Sequence, residues 1–166
     1  DGSGFANQGN NYTFCAARYN SNGTLDTTWN STGTVRTAIG INGKAFAATV
    51  FADGKVLLAG SCATTNYDFC SIRYTASGSL DSSWNGTGKV ITDFASGNDT
   101  ARAIAVQPDG KILFAGTCNI SNPTLCAVRY DANGAVNLKT ASGNYGEALA
   151  VAVQPDGKIL LAGRCG

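Results

Sequence analysis

The fold of this chain is decided by one stretch in its second half, Val106-Gln107-Pro108-Asp109-Gly110-Lys111-Ile112-Leu113-Phe114-Ala115-Gly116-Thr117-Cys118. An Asp-Gly pair supplies the positive φ angles that a tight hairpin requires, so this stretch predicts a turn between two strands. The strand after the turn is an apolar run that ends in Ala-Gly-x-Cys. Because no segment shows a convincing helical period, we expect an all-β protein.

This stretch belongs to a repeat that occurs three times. The tripeptide Asp-Gly-Lys stands at 53–55, 109–111 and 156–158, each time before an apolar run that ends in Ala-Gly-x-Cys. A second block, Cys-x-x-Arg-Tyr, stands at 15–19, 70–74 and 126–130. The arginines of the second block are 55 and 56 residues apart. A period of this size indicates a chain assembled from similar supersecondary units.

Each repeat is predicted to contain four short strands. In one repeat, apolar runs at 46–51, 56–62, 69–75 and 89–94 are separated by polar or glycine-containing turns. Four-stranded antiparallel units that recur in this way are typical of the blades of a β-propeller, which pack face to face around an axis.

Two further strands are predicted to be buried on both faces. Residues 103–106 and 150–153 alternate alanine with β-branched residues and present no polar face. A strand without a polar face is typical of a sheet covered on both sides, and the alanines indicate a close neighbour.

The order of the blocks predicts a blade that is divided between the two ends of the chain. We interpret residues 1–166 as a single β-propeller-like domain with three repeats of about 55 residues. The predicted units are a split blade formed by 1–44 and 148–166, a blade at 45–100 and a blade at 101–147 with a shortened end. The split blade is expected to close within one chain, which gives a three-bladed ring, or between copies, which gives a six-bladed dimeric ring or a filament.

The shortened end predicts a sheet edge without its fourth strand. Only 12 residues separate Val136 from Ala148, whereas 21 separate Leu80 from Ala101. We expect residues Asp1–Asn10 either to form an arm that covers this vacated edge or to be a tail.

The repeats also resemble a known family. Val106 to Leu113 with Ala115-Gly116, and Val153 to Leu160 with Ala162-Gly163, are similar to the delta-60 repeat of bacterial β-propeller proteins. The resemblance extends to the Arg-Tyr-x-x-x-Gly segments and to the segment Leu80 to Val90. Two departures stand out, because Phe51-Ala52 replaces Gln-Pro and residues 136–138 lack the Leu-Asp-x-x-Trp pattern. The resemblance implies a secreted or surface propeller and carries no catalytic residue to this chain.

The six cysteines are interpreted as three disulfides. Cys62 and Cys70 are eight positions apart, as are Cys118 and Cys126. The chain has no Cys-x-x-Cys pair and no histidine, which disfavours a zinc site, and buried free thiols are the other alternative. Repeat equivalence pairs Cys165 with Cys15, within one chain or between two chains. Disulfides predict an oxidising compartment outside the cytoplasm, so we expect a mature extracellular or cell-surface protein without its signal peptide.

Two sets of residues are candidate carbohydrate positions. Six Asn-x-Ser/Thr sequons are candidate glycosylation sites, at Asn11, Asn22, Asn30, Asn85, Asn98 and Asn119. Trp29 and Trp84 are a candidate platform for stacking a bound sugar, which makes a lectin-like module the alternative function.

Composition and residue inventory disfavour the other function classes. The net charge of +1 provides no field for nucleic acid, and no apolar run is long enough for membrane insertion. Without histidine and with one glutamate, we expect no catalytic residue, metal or cofactor. The sequence therefore predicts a non-catalytic secreted structural protein that self-assembles head-to-tail through its split blade into an extracellular fibre or ring, held by disulfides.

Overall fold

The computed structural model describes residues 12–94 and 97–166, and within these ranges it contains eleven β-strands and no helix. In chain order they are β1 Phe14–Ala17, β2 Thr34–Thr37, β3 Ile41–Val50, β4 Val56–Ala63, β5 Tyr67–Tyr74, β6 Lys89–Thr92, β7 Thr100–Val106, β8 Ile112–Asn119, β9 Pro123–Tyr130, β10 Val136–Val153 and β11 Ile159–Cys165. The all-β prediction is confirmed. No helix in these ranges is long and apolar enough to cross a membrane. The candidate arm Asp1–Asn10 lies outside the described residues.

The strands form two four-stranded antiparallel units, which we name blade A and blade B. Blade A contains β3, β4, β5 and β6 in that spatial order. Blade B contains β7, β8 and β9, with the first part of β10 beside β9. Each Asp-Gly-Lys tripeptide forms a hairpin turn, and Gly54, Gly110 and Gly157 adopt φ values of 80° to 82° there. Glycine adopts a positive φ angle without the steric cost that other residues carry, which explains its place in each turn.

The prediction that blade B lacks its fourth strand is wrong. Residues 136–141 of β10 pair with β9 in the register Val136↔Tyr130 to Ala141↔Cys126. The same strand then continues past irregular pairing and joins β11 from Gly146 onward. A separation of twelve residues between Val136 and Ala148 is enough to supply the fourth strand of blade B because β10 belongs to both blade B and the next unit. The loop that carries Trp84 in blade A has no counterpart before this strand. The edge that the candidate arm was expected to cover is therefore already occupied.

Two half-blades flank blades A and B. Within residues 12–94 and 97–166, strands β1 and β2 pair only with each other, and we name them the outer half-blade. The second part of β10, residues 146–153, pairs with β11, and we name these two segments the inner half-blade. Among the described residues, β1 is not paired with β11, so the three-bladed ring within one chain is not formed.

Alternating side chains of blade A bury both of its faces. Leu57 and Ala59 belong to an apolar cluster shared with Ile112 and Phe114 of blade B. Residues of the opposite face, including Val56, Leu58 and Cys62, cluster with Phe14 and Trp29 of the outer half-blade. The order around the molecule is therefore outer half-blade, blade A, blade B and inner half-blade.

A glycine in each second strand permits a β-bulge in the first strand. The register between β3 and β4 shifts between Ala45 and Ala47, and Gly60 lies opposite Ala45. A Cβ atom on Gly60 would lie 1.8 Å from the carbonyl oxygen of Lys44. Gly116 and Gly163 have the same approach, 1.9 Å in each case, to the carbonyl oxygens of Thr100 and Glu147. The glycine of the Ala-Gly-x-Cys pattern is therefore required by a close backbone contact that leaves no room for a side chain.

Gly60→Ala should lower the free energy of unfolding by more than about 2 kcal/mol, which is near the upper end for single substitutions. The reason is that the backbones of β3 and β4 must separate to admit the new Cβ atom. Thr65→Ala, in the exposed loop between β4 and β5, should change it by less than about 0.5 kcal/mol. Urea unfolding followed by far-UV circular dichroism measures both values. Equal stability of the two variants would contradict the role assigned to Gly60.

Candidate functional site

A cluster of Arg73, Asp81 and Trp84 joins blade A to blade B. The Arg73 Nε donates to the Asp81 carboxylate at 2.8 Å, and its guanidinium carbon lies 4.7 Å from the centroid of the Trp84 ring. The Arg73 Nη1 also donates to the carbonyl oxygen of Ala132 in blade B at 2.7 Å. One side chain therefore closes the Asp-x-x-Trp loop of its own blade and bonds the backbone of the next.

The outer half-blade repeats this cluster against blade A. Arg18 donates to Asp26 at 2.8 Å, lies 5.5 Å from the Trp29 centroid and donates to the carbonyl oxygen of Ala76 at 3.0 Å. The repeated geometry explains why Cys-x-x-Arg-Tyr and Leu-Asp-x-x-Trp occur together. Together they form the contact between one blade and the next.

Blade B has the arginine without the other two residues. Arg129 donates through Nε to the Asn137 side-chain oxygen at 2.7 Å, and no tryptophan loop follows. By repeat equivalence with Ala76 and Ala132, the carbonyl that Arg129 would contact belongs to Ser21 of an outer half-blade. Within the described chain that half-blade lies at the other end of the series, beside blade A.

The pKa of the Asp81 carboxyl lies below its ordinary value of 3.8. Burial alone would raise it, but hydrogen bonds from Ser83 and the Arg73 guanidinium outweigh that effect. A carboxyl whose pKa falls on folding stabilises the folded state above its unfolded pKa. That contribution is lost as the pH drops from 3.8 through the lower folded value.

Trp29 and Trp84 do not form the predicted sugar platform. Their side chains are 1% and 0% exposed, inside the two apolar clusters. A sugar ring stacks on an open aromatic face, and both faces here contact protein. Trp29 packs in the cluster between the outer half-blade and blade A, and Trp84 packs in the cluster between blades A and B.

Two of the three predicted disulfides are present. Cys62–Cys70 joins β4 to β5, and Cys118–Cys126 joins β8 to β9. In both pairs the cysteines are eight positions apart, as the sequence predicts, and each bond links adjacent strands of one blade. These bonds indicate a non-reducing environment.

Cys15 and Cys165 are free and exposed in the described chain. Cys15 lies on β1 of the outer half-blade, and Cys165 ends β11 of the inner half-blade. Their equivalents in blades A and B are fully buried disulfides. The two halves of the third staple are therefore present on separate half-blades.

The inner half-blade exposes residues that are buried in blades A and B. Leu160 is 56% exposed, whereas its equivalents Leu57 and Leu113 are 0% exposed. Ala150, Ala152 and Ala162, which share its face through the β10–β11 register, are also exposed. The prediction that both faces of residues 150–153 are buried is wrong for this chain alone, because the next blade does not cover that face.

The outer half-blade shows the matching exposure. Tyr19 is 62% exposed, whereas its equivalents Tyr74 and Tyr130 are 1% and 0% exposed. In blade A, Tyr74 lies opposite Val56 across the β4–β5 pair, and in blade B, Tyr130 lies opposite Ile112. In the part of the chain that the structure describes, Tyr19 has no such partner strand and forms an isolated bridge with Leu25, although it keeps the same sequence context.

The predicted sequons lie at or near turns. Asn22, Asn30, Asn85 and Asn98 are exposed, and Asn119 is half-buried at the end of β8. Asn11 lies outside the described residues. The side-chain nitrogens of Asn30 and Asn85 donate to the carbonyl oxygens of Thr34 and Lys89. Glycosylation at any of these positions stays a prediction.

The four-stranded blades, the repeated junctions and the apolar clusters between successive units define a β-propeller protein. The sequence model of the family described as "Domain of unknown function (DUF5122) beta-propeller" matches residues 2–28, 52–83 and 107–138, more than half of the chain. The chain belongs to this family, consistent with the resemblance to delta-60 repeats. No curated protein matches the chain.

Sequence reasoning missed the surfaces that separate a complete blade from a half-blade. The repeat alignment equates Leu160 with Leu57 and Tyr19 with Tyr74, which predicts burial for all four. A comparison of exposure between equivalent positions identifies the candidate site. The signal in the sequence was the pair Cys15 and Cys165, which repeat equivalence matches although they lie near opposite ends of the repeat series.

Asp81→Asn should lower the free energy of unfolding at pH 7 by about 3 kcal/mol, the lower end for breaking a buried ion pair, because Arg73 loses its counter-charge. It should also weaken the loss of stability below pH 4. Asp26→Asn is the matched control, with a smaller loss because Arg18 is more exposed. Urea titrations at several pH values compare them, and an equal loss in both variants would contradict the assignment.

Proposed function

We propose that the protein is a non-catalytic, extracellular structural protein whose copies assemble head-to-tail. The inner half-blade of one copy and the outer half-blade of the next together form one complete four-stranded blade. The observation that carries the proposal is the exposure of Leu160, Tyr19, Cys15 and Cys165, since their equivalents in blades A and B are buried.

The register of this shared blade follows from blades A and B. Gly60 lies opposite Cys70 and Gly116 opposite Cys126, with the disulfide formed from the cysteine two positions after each glycine. The same register sets Gly163 opposite Cys15 of the next copy and brings Cys165 within reach of it. Leu160 then lies opposite Arg18, and Ile159 opposite Tyr19.

The exposed face of the inner half-blade has an apolar counterpart on blade A. Ala48 and Val50 of β3 are exposed on the side of blade A that carries Val56 and Leu58. A strand pair seated beside β1 would cover them with its own alanines and Leu160. Burial of one leucine or valine contributes about 1.5–3 kcal/mol, so this face offers a substantial apolar driving force.

The third disulfide makes the junction covalent. The Cys15 and Cys165 thiols give up two protons and two electrons to an external oxidant, such as a small-molecule disulfide, and a sulfur–sulfur bond forms between copies. The requirement for an oxidant agrees with an extracellular location. Two copies give a closed ring of six blades, within the usual range for propellers, and an open rotation gives a fibre.

The carboxylates on the hairpin turns support a structural rather than a catalytic role. Asp53, Asp109 and Asp156 each pair with the lysine two positions later, and each accepts its backbone N–H. The lysine contacts and hydrogen bonds hold their pKa values below the usual range, so these groups stay ionised at neutral pH. Such groups are suited to closing a turn.

Cys15→Ser and Cys165→Ser should each fail to form covalent oligomers on their own, whereas an equimolar mixture should give one covalent dimer after oxidation. Non-reducing gel electrophoresis measures this, and reduction should return the monomer. The unmodified chain should form a dimer if the assembly is a ring and a ladder if it is a fibre. A Cys15–Cys165 bond within one chain, identified by mass spectrometry of a monomer, would refute the proposal.

Leu160→Asp should abolish assembly, because the shared face would bury the new charge opposite Arg18, whose guanidinium is already paired with Asp26. The fold of the single chain should stay intact, because Leu160 is exposed there. Ile120→Asp is the matched control, since Ile120 is similarly exposed, at 51%, but lies on the loop between β8 and β9. Light scattering under reducing conditions reports the oligomer mass without the disulfide. Assembly by Leu160→Asp at the level of Ile120→Asp would exclude this face as the contact.

A further inference from the structure

Three aspartates that are scattered in the sequence meet at the junction of blades A and B. Asp68 lies near the start of β5, Asp93 directly follows β6, and Asp99 directly precedes β7. One carboxylate oxygen from each lies within 4.8 Å of the other two. Three separate segments thus bring their oxygens to one point.

The negative charge at this point is poorly compensated. Asp68 and Asp99 are 2% and 0% exposed, and Asp93 is exposed. None of the ion pairs formed in residues 12–94 and 97–166 includes any of the three. The nearby Lys139 ammonium donates to the backbone carbonyl of Asp93 rather than to a carboxylate. Burial raises the pKa of both Asp68 and Asp99, and the Asp93 charge adds to this effect.

Asp99 is held firmly by backbone donors. One of its oxygens accepts the N–H of Phe94 at 2.9 Å, and the other accepts the N–H of Asn119 at 3.1 Å. Each carboxylate oxygen has a further lone pair, so these bonds orient the group without using up its capacity. Asp99 is therefore a pre-positioned acceptor between β6 and β8.

Asp68 supplies an oxygen for which residues 12–94 and 97–166 contain no donor. Its Oδ2 accepts from the Thr64 hydroxyl at 3.0 Å, whereas its Oδ1 is buried and has no hydrogen-bond partner within those ranges. A buried carboxylate oxygen without a partner carries a large desolvation cost. Because an oxygen of the same carboxylate lies within 4.8 Å of the Asp93 and Asp99 oxygens, a cation bound among the three would compensate both the Asp68 carboxylate and the excess charge.

We propose that Asp68, Asp93 and Asp99 bind a calcium ion that ties blade A to blade B. Hard divalent cations take oxygen ligands, and Ca²⁺ accepts carboxylates in flexible arrangements where Mg²⁺ demands near-ideal octahedral geometry. Three carboxylates from three segments fit the less demanding ion. An all-oxygen donor set is also unsuited to the softer metals that prefer thiolate or imidazole. The site is separate from the half-blade contact and does not depend on it.

The test uses the full chain carrying Cys15→Ser, which removes the proposed covalent junction. Calorimetric titration of the EDTA-treated, dialysed protein with CaCl₂ should give one site per chain, and Ca²⁺ should raise the melting temperature. Asp68→Asn and Asp99→Asn should weaken calcium binding by at least about tenfold. A loss of that size follows even when a residue that only hydrogen-bonds a metal ligand is replaced, so the loss of a direct ligand should be no smaller. Asp109→Asn, on the hairpin turn between β7 and β8, should bind as the parent does.

The proposal would be overturned if CaCl₂ up to about 10 mM gave neither binding heat nor a shift in melting temperature. That concentration exceeds the dissociation constants of the weakest extracellular calcium sites. Unchanged affinity in both Asp68→Asn and Asp99→Asn would do the same. Asp93→Asn is the variant that decides if the buried substitutions do not fold, because Asp93 is exposed. Its affinity should also fall, and circular dichroism verifies its fold.

Discussion

The structure depends on the requirement that each blade bury both of its faces against a neighbour. The central strand β4 of blade A meets this requirement within the chain, with Leu57 against blade B and Leu58 against the outer half-blade. The inner half-blade meets it on one side only, and Leu160 is left exposed. Since burial of apolar area is the main favourable term in folding, a half-blade is the weakest part of such an array. The proposed assembly supplies the missing neighbour from a second copy.

The blade junctions combine apolar burial with a specific polar bond. Arg73 is buried, paired with Asp81 and bonded to the carbonyl oxygen of Ala132, so a small rotation between blades would break a charged hydrogen bond. The corresponding Arg18 contact on Ala76 sets the orientation of the outer half-blade in the same way. These contacts fix the angle between units, whereas the apolar clusters supply most of the free energy. The proposed calcium site would add a third tie at the same junction.

The sequence predicted much of the fold because the repeat carries its own local signals. Asp-Gly-Lys places the hairpins, alternation places the faces, and cysteine spacing predicts two disulfides that the structure contains. It failed at the end of blade B, where residues 136–141 form the fourth strand although the loop that precedes this strand in blade A is missing. The number of residues does not reveal that β10 belongs to two units, since this depends on the irregular pairing between Ala141 and Tyr145, after which the strand joins β11. It also failed for Trp29 and Trp84, whose burial depends on apolar residues from other strands and from the neighbouring unit.

By itself, the sequence determined the all-β class, the threefold repeat, the hairpin turns and the pairing of cysteines within each blade. These follow from short-range chemistry, such as the positive φ of Gly110 and the eight-position spacing of Cys118 and Cys126. Only the tertiary structure decided that Leu160 and Tyr19 are exposed while their equivalents are buried, and that Asp68, Asp93 and Asp99 meet at one point. Exposure and convergence depend on which units become neighbours in space, and the similar sequences of the repeats do not show which face is left uncovered.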